Sequence, residues 1–400
     1  MTTRDFELDA VVIGGCGHVG LPLAIALASR DTKVGIYDVS QTAVDTVNAG
    51  QLPFAEPGAA EPLRTGLAAG RLRASADPAI VGMAEHVIVV IGTPVDEHLN
   101  PEPDAIPNAL GAFASYLRDG QILILRSTVY PGVTALVEKT IAALGADIDV
   151  AFCPERIAEG HAMTELFELP QIVSARTARG VQRASALFGR LTSQLVVLTP
   201  EEAELAKLFT NTWRYIKFAT ANQLYMMAND RGLDFERIRQ GMGADYPRAA
   251  DMPAAGFAAG PCLFKDTMQL AAYNYNNFAL GHTAMAINEG MPLYLMHRLE
   301  QRYDLAAMTV GICGMAFKGG SDDTRSSLSY KLKRILAFKA AAVLCTDPYV
   351  TTDPDLRPLP EVIEQADLLV IAAPHPEYRT LATAKPVADI WNIRGEGVQI

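Results

Sequence analysis

Short apolar runs alternate with longer stretches of mixed polarity along the first half of the chain, and that alternation sets the expected fold. Ala10 to Ile13 is apolar, Gly14 to Gly20 is a glycine-rich turn, and Leu21 to Ser29 is an apolar-periodic stretch that leads to a second run, Val34 to Tyr37. This is the β-turn-α-β opening of a doubly wound sheet. Further strands are predicted at His86 to Ile91, Gln121 to Leu125, Ile148 to Phe152 and Gln194 to Leu198, with helices at Ile106 to Leu117 and Val133 to Leu144. A parallel sheet with helices on both faces follows from that order.

After Thr199-Pro200 the period changes. Glu201 to Arg231 and Phe235 to Met242 read as helices with no convincing strand between them, and a loop rich in alanine, glycine and proline runs from Met252 to Cys262. Helical character resumes from Lys265 to about Tyr303, interrupted near Asn274 to Asn277, and suggests one long helix joining two lobes. The strand rhythm then returns with Thr309 to Cys313, a turn at Gly314 to Ser321, a helix at Leu328 to Ala340, and strands at Ala342 to Thr346, Leu368 to Ala372 and Val387 to Ile390. The expected architecture is α/β: two Rossmann-like doubly wound parallel-sheet domains, 1–199 and 305–400, joined by a helical middle domain, 200–304, with a long connecting helix.

Composition narrows the function classes. The formal charge of -11 over 400 residues comes without a lysine or arginine run, so a nucleic-acid partner is not expected and a small-molecule ligand fits better. The five cysteines are widely spaced, no C-x-x-C pair occurs, and the seven histidines do not cluster at ligand spacing. Reduced thiols are therefore expected, and a metal is not. The acidic N-terminus is unlike a signal peptide, and no apolar run approaches the ~20 residues that span a bilayer. A soluble, cytoplasmic protein with no membrane association is expected.

The candidate chemistry sits in loops that follow strands. Gly15-Cys16-Gly17-His18-Val19-Gly20 is a G-x-G-x-x-G turn between a strand and a helix, where absent side chains let a pyrophosphate approach backbone amides. Asp38 closes the second strand, where a carboxylate holds both ribose hydroxyls and repels a 2′-phosphate, so NAD is expected rather than NADP. Gly92-Thr93-Pro94 and Ser127-Thr128-Val129-Tyr130-Pro131-Gly132 end two further strands, as ligand-lining loops do or as ordinary turns do. Cys153-Pro154-Glu155-Arg156-Ile157-Ala158-Glu159-Gly160 brings two carboxylates and a guanidinium past another strand end, a binding loop or a solvated charged one. Lys207 and Asn211, four residues apart on a predicted helix, share a face and can converge on one oxygen or point to solvent. Cys262, just before a helix and beside Lys265 and Asp266, is either a nucleophile favoured by the helix dipole or a small apolar filler. In the last lobe, Phe317, Lys318, the glycines and hydroxyls after them and Arg325 form a strand-to-helix loop suited to phosphate.

Taken in order from Gly15 to Asp347-Pro348, these segments resemble the UDP-glucose and GDP-mannose dehydrogenase family. The resemblance implies NAD-dependent, four-electron oxidation of the C6 hydroxymethyl of a nucleotide sugar, a UDP-hexose or UDP-N-acetylhexosamine, to a uronic acid for polysaccharide biosynthesis. It implies that Cys262 is the nucleophile, that Lys207 and Asn211 stabilise an oxyanion, and that Asp266, Thr128 and Glu155 serve the hydrolysis step. The implied cofactor contacts are Gly15, Gly17, His18, Val19, Gly20, Asp38, Thr93, Pro94, Ser127, Thr128, Lys265 and Arg325. The implied substrate contacts are Glu155, Arg156, Ile157, Glu159, Lys207, Asn211, Gly260, Phe317 and Lys318, with Arg248 lent to a neighbouring subunit of a homodimer formed through the middle domain.

Three departures from the family pattern stand out, and the second and third bear on the substrate. His18 stands where an aromatic is usual, and Gly256-Phe257-Ala258-Ala259-Gly260-Pro261 replaces a run of glycines before the cysteine. Arg156 adds a charge to the P-E-R-I-A-E-G loop and leans the reading toward an N-acetylated or otherwise modified hexose. Two alternatives stay open at this level: a two-electron hydroxyacid or 6-phosphogluconate-type dehydrogenase, which leaves Cys262 without a role, and a nucleotide-binding scaffold without turnover.

Overall fold

The computed structural model of the chain describes residues 6–93, 95, 96, 101–397 and 400. It divides into two compact units, Met1–Phe209 and Thr210–Ile400. The first unit carries strands β1 (Leu8–Ile13), β2 (Val34–Tyr37), β3 (Leu72–Ser75), β4 (Ala84–Val89), β5 (Ile122–Leu125), β6 (Asp149–Phe152), β7 (Gln171–Ala175) and β8 (Leu195–Leu198), laid side by side as β3-β2-β1-β4-β5-β6-β7-β8. Val12 pairs with Ile36 on one side and Ile88 on the other, both in parallel. The pairing of β6 with β7 is antiparallel, which a purely parallel expectation did not include.

Strands β2 and β5, and β1 from Ala10 onward, are apolar because both faces of the sheet are covered there. Along β1, Ala10 and Val12 enter one hydrophobic cluster while Val11 and Ile13 enter another; Ile122 and Ile124 of β5 split from Leu123 and Leu125 in the same way. Each such Val, Leu or Ile side chain contributes about 1.5–3 kcal/mol by leaving water. The order reverses beside β1, so the loops after β1 and β4 flank the crevice where such sheets bind ligands.

The sequence had left β3 and β7 unassigned, together with the helices Gln41–Asn48, Ala60–Ala68, Ala162–Glu168 and Ala178–Phe188. The helix expected at 106–117 is shorter, Ala105–Leu110, because the amides of Gly111, Ala112 and Phe113 bond to carbonyls three residues back and tighten the chain out of α geometry.

The helix Pro200–Asn229 runs across the boundary between the units. The second unit continues with helices Phe235–Gly243, Leu263–Tyr273 and Ala279–Arg302, and then a sheet of β9 (Thr309–Cys313), β10 (Ala342–Thr346), β11 (Leu368–Ile371) and β12 (Val387–Asp389) in the parallel order β10-β9-β11-β12. The helical stretch expected over 265–303 breaks within the expected interruption at 274–277, leaving Ala279–Arg302 as the long helix. Tyr275 and Asn276 adopt φ of 54° and 57°, and the Asn276 amide turns back to the Ala271 carbonyl. A left-handed pair of residues ends a helix. The helices and the second sheet share one core, in which Tyr225, Phe235, Phe257, Met291 and Leu295 pack with Val310, Ile312 and Val370. Among the described residues no helix is long and apolar enough to cross a membrane.

Candidate active site

In the first unit the G-x-G-x-x-G turn leads straight into the helix Gly20–Ala28, with Val19 at its N-cap. A side chain at Gly17 would meet nothing nearer than the Gly14 carbonyl, at 3.7 Å, so the turn leaves open space beside its amides. Asp38, half-buried at the end of β2, accepts the Cys16 amide through Oδ2 at 3.0 Å and the Ser40 amide through Oδ1 at 3.0 Å. The His18 ring lies 4.0 Å from that of Phe54, tilted by 33°, so the histidine keeps a flat neighbour-stacking role at the position where an aromatic was expected. An open glycine turn, a helix N-terminus and a half-buried carboxylate at the second strand suit a dinucleotide.

The next two loops are tied to each other. Ser127 Oγ donates to the Ile91 carbonyl at 2.7 Å and accepts the Ile91 amide at 2.8 Å, and Thr93 Oγ1 donates to the Thr128 carbonyl at 2.6 Å. Pro94 lies outside the described residues. Glu204, which the sequence did not single out, accepts the amides of Gly132 and Thr134 at 2.7 and 2.8 Å and so caps the helix Val133–Ala143.

Glu155 is buried, and both of its oxygens are committed. Oε1 accepts the amides of Arg156 (2.7 Å) and Ile157 (3.1 Å), and Oε2 takes the guanidinium of Arg126. Arg126 is itself fully buried, donating also to the Cys153 carbonyl at 3.0 Å and to Gln171 Oε1 at 2.9 Å, with its guanidinium over the Phe188 ring. The Arg156 guanidinium donates to the Pro170 carbonyl, and burial lowers its pKa. A second buried carboxylate, Glu56, accepts the amides of Gly160 and Ala162, each at 2.9 Å, and pins the far end of the same loop beside Glu159. Neither Arg126 nor Glu56 stood in a recognisable motif.

Lys207 and Asn211 stand one turn apart on the helix Pro200–Asn229, and both are buried. Asn211 Nδ2 donates to Asp266 Oδ2 at 2.6 Å, and Lys265 Nζ is 3.2 Å from Asp266 Oδ1. Asp266 is fully buried, so its carboxylate fixes the orientation of the Asn211 amide. Cys262 is the N-cap residue of the helix Leu263–Tyr273 and makes no side-chain capping bond; its carbonyl accepts the Asp266 amide at 2.9 Å. It is exposed, whereas Cys16, Cys153, Cys313 and Cys345 are buried. Burial pushes those four thiols up, to about 12 for Cys16, Cys153 and Cys313 and about 11 for Cys345. None of the four is a thiolate near neutral pH.

The loop before Cys262 is fixed at two glycines. Gly260, at φ 104°, lies so close to Phe317 that a Cβ would sit 2.7 Å from the ring, and Gly256, at φ 151°, lies as close to Trp391. Phe257 and Ala258 between them are buried. The Gly256 amide donates to Asn222 Oδ1 at 2.9 Å; Asn222 Nδ2 donates to Asn288 Oδ1 at 2.9 Å, and Asn288 Nδ2 to the Tyr215 carbonyl at 3.0 Å. Lys318 Nζ lies 5.6 Å from the Phe317 ring centre, and Arg325 is held by both oxygens of Asp323. Arg248 is exposed, its guanidinium 5.5 Å from the Tyr246 ring centre.

Residues 9–192 match the NAD binding domain of the UDP-glucose/GDP-mannose dehydrogenase family, residues 201–290 its central domain and residues 311–395 its UDP binding domain. A UDP-N-acetyl-D-mannosamine dehydrogenase of Yersinia pestis is 28% identical, with 98% of this chain and 99% of the relative covered. Two solved structures superpose with a TM-score of 0.90: a UDP-glucose dehydrogenase of Pyrobaculum islandicum, 26% identical over 98% of this chain and 96% of that one, and a UDP-D-ManNAc dehydrogenase of Pyrococcus horikoshii, 27% identical over 98% and 97%.

Proposed function

This chain belongs to the UDP-glucose/GDP-mannose dehydrogenase family, and from that premise we propose that it oxidises C6 of a UDP-N-acetylhexosamine to the uronic acid while holding the intermediate aldehyde on Cys262. It is an NAD-dependent dehydrogenase of nucleotide sugars. The N-acetylated sugar is supported by the names of the Yersinia and Pyrococcus relatives and by Arg156 in the P-E-R-I-A-E-G loop; UDP-glucose, after the Pyrobaculum relative, is the competing substrate.

NAD would be held by the Gly15–Gly20 turn and by Asp38, with Thr93, Ser127 and Thr128 along the crevice, and it supplies the hydride acceptor for two successive oxidations. The chain's own residues do the rest. Sγ of Cys262 adds to the aldehyde carbon, and the oxygen that becomes negative is stabilised by Lys207 and Asn211. Asp266 keeps the Asn211 amide turned toward that oxygen. After the second oxidation the carbon–sulfur bond is a thioester; water adds to it, the thiolate leaves, and the carboxylate is released. Thr128 and Asp266 are the groups assigned to that water, and Glu155, with both oxygens engaged, acts through the loop it holds. The observation that carries the reading is that Cys262, at a helix N-cap, is the exposed thiol of the five.

Residues 1–199 are proposed to carry NAD, 200–304 the cysteine loop and the contacts of a homodimer, and 305–400 the nucleotide of the substrate through Lys318. Trp213, Met227, Ile238, Met242, Leu280 and Leu293 leave apolar surface exposed on the helical segment, which suits a second copy and leaves Arg248 positioned to reach it. A cytoplasmic location is proposed from the five free, widely spaced cysteines, which suit a reducing compartment.

The test is a panel of UDP- and GDP-sugars assayed for NADH and for acid product. The expected yield is two NADH per uronic acid from wild type, with turnover lost in Cys262→Ser. One NADH per sugar, or full turnover by the serine variant, returns the protein to two-electron dehydrogenase chemistry.

A further inference from the structure

The loop that leaves β9 carries Lys318, and it is anchored by a histidine far away in sequence. His375, just after β11, is fully buried. Its Nδ1 accepts the Gly320 amide at 3.1 Å. An amide can only donate, so Nδ1 carries no proton and the imidazole is the neutral tautomer with its hydrogen on Nε2. That nitrogen lies 3.0 Å from Asp347 Oδ2, which also accepts the amides of Met315 and Ala316 at 2.6 and 2.9 Å. One imidazole therefore ties the loop at both ends, through Asp347 at Met315 and directly at Gly320. The span between the ties holds Phe317, whose ring abuts Gly260 two residues before Cys262, and Lys318. The rings of Tyr349 and Tyr378, 5.0 and 5.7 Å from that of His375, pack against it.

We infer that His375 is a positioning residue for the nucleotide-sugar site: its Nε2–H tautomer fixes the Met315–Gly320 loop, and through it the aim of Lys318 at a substrate phosphate and the support that Phe317 gives Gly260. This rests on the reading of Lys318 as a phosphate ligand. His375 touches no substrate; it removes the need for the loop to become ordered on binding, a cost that would otherwise weaken the complex.

The two nitrogens can be tested one at a time. The amide oxygen of His375→Asn falls near Nδ1 and can accept from Gly320, whereas the longer His375→Gln reaches toward Asp347 and gives up the Gly320 bond. With the full-length protein, calorimetry measures UDP and NAD binding, steady-state rates give KM and kcat for the nucleotide sugar, and circular dichroism gives the melting temperature. His375→Gln is expected to weaken UDP and raise the sugar KM about tenfold, the scale of losing one aimed charge–phosphate contact, with NAD affinity and kcat little changed. His375→Asn should stay within about threefold of wild type in the same assays. Equal losses in the two variants, unchanged UDP binding in His375→Gln, or a fall in kcat at constant KM would each overturn the inference. Lys318→Met separates this from the underlying reading. If that variant binds UDP like wild type, both fail; if it binds UDP weakly while His375→Gln does not, only the role of His375 fails.

Discussion

Gly256→Ala offers a test of the loop geometry whose size can be worked out from the structure. At φ 151° the backbone of residue 256 lies in a region occupied almost solely by glycine, which costs an alanine about 1–3 kcal/mol. The new Cβ would also fall 2.4 Å from Cε3 and Cζ3 of Trp391 and 2.6 Å from its Cη2. Neither side yields easily. The indole Nε1 is bonded to the Ala372 carbonyl at 3.2 Å, and the Gly256 amide is held by the buried Asn222. Overpacking of this kind costs about 1–3 kcal/mol. A combined loss of about 4 kcal/mol in a unit the size of Thr210–Ile400, at about 2–4 °C per kcal/mol, lowers its melting temperature by about 10 °C. Calorimetric scans of Gly256→Ala, Trp391→Ala and the double variant measure both contributions. In the Trp391→Ala background the overlap is gone and only the backbone cost remains, so the cycle should show a coupling of about 1–3 kcal/mol. A shift in Gly256→Ala of under about 2 °C, or the same cost in both backgrounds, refutes the close approach of the loop to the indole.

Two further outcomes follow from buried charge. Arg126→Met leaves the Glu155 carboxylate buried without its guanidinium and should cost about 3–5 kcal/mol by thermal unfolding, part of it recovered when Glu155→Gln is added. Burial alone would raise the Asp347 pKa, but His375 and the surrounding amides outweigh it and hold the carboxyl at about 2, against an ordinary 3.8. A carboxyl depressed on folding contributes stability that is complete above its unfolded pKa and is lost as pH falls from about 4 toward 2, on the order of 2 kcal/mol at most. In urea titrations, the stability gap between wild type and Asp347→Asn should stay constant from pH 7 to 5 and narrow below about 4; a gap that is the same at pH 3 contradicts the assignment.

The parts of the protein that were legible in the sequence are those whose physics is local. An apolar run followed by glycines and a periodic stretch announces β1, its turn and the helix Gly20–Ala28, and the break before Leu263 places Cys262 at a helix start. Strand β3 escaped because Arg73 faces solvent within four residues, leaving two buried positions to signal it. The break at Tyr275 and Asn276 lies where the periodicity lapses, at 274–277, although the left-handed backbone that makes it leaves no mark of its own in a period of hydrophobicity. The residues that brace the candidate site were hidden for a different reason: each bonds to a partner distant in the chain. Glu56 reaches Gly160 across 104 positions, Glu204 reaches Gly132 across 72, Asn222 reaches Asn288 across 66, and His375 reaches Gly320 across 55. What they share is a polar side chain that the fold buries. It becomes informative once the fold shows that burial obliges it to find a partner.

Asp38 and Asp347 show why the same motif in two sheets does not imply the same ligand contact. Each follows the second strand of its sheet, and each accepts amides from the loop after the neighbouring first strand: Cys16 in one case, Met315 and Ala316 in the other. Asp38 is half-buried, with one amide on each oxygen, and a carboxylate oxygen can accept more than one hydrogen bond. It can therefore hold its loop and still meet a ribose. The Asp347 side chain is fully buried, and its oxygens take four amides together with the Nε2–H of His375. No lone pair faces a ligand there. On the proposed reading, a nucleotide on the second sheet would be recognised by what the loop presents rather than by the carboxylate beneath it; that reading gives the task to Lys318 and makes the rigidity supplied by His375 and Asp347 the feature on which affinity would depend.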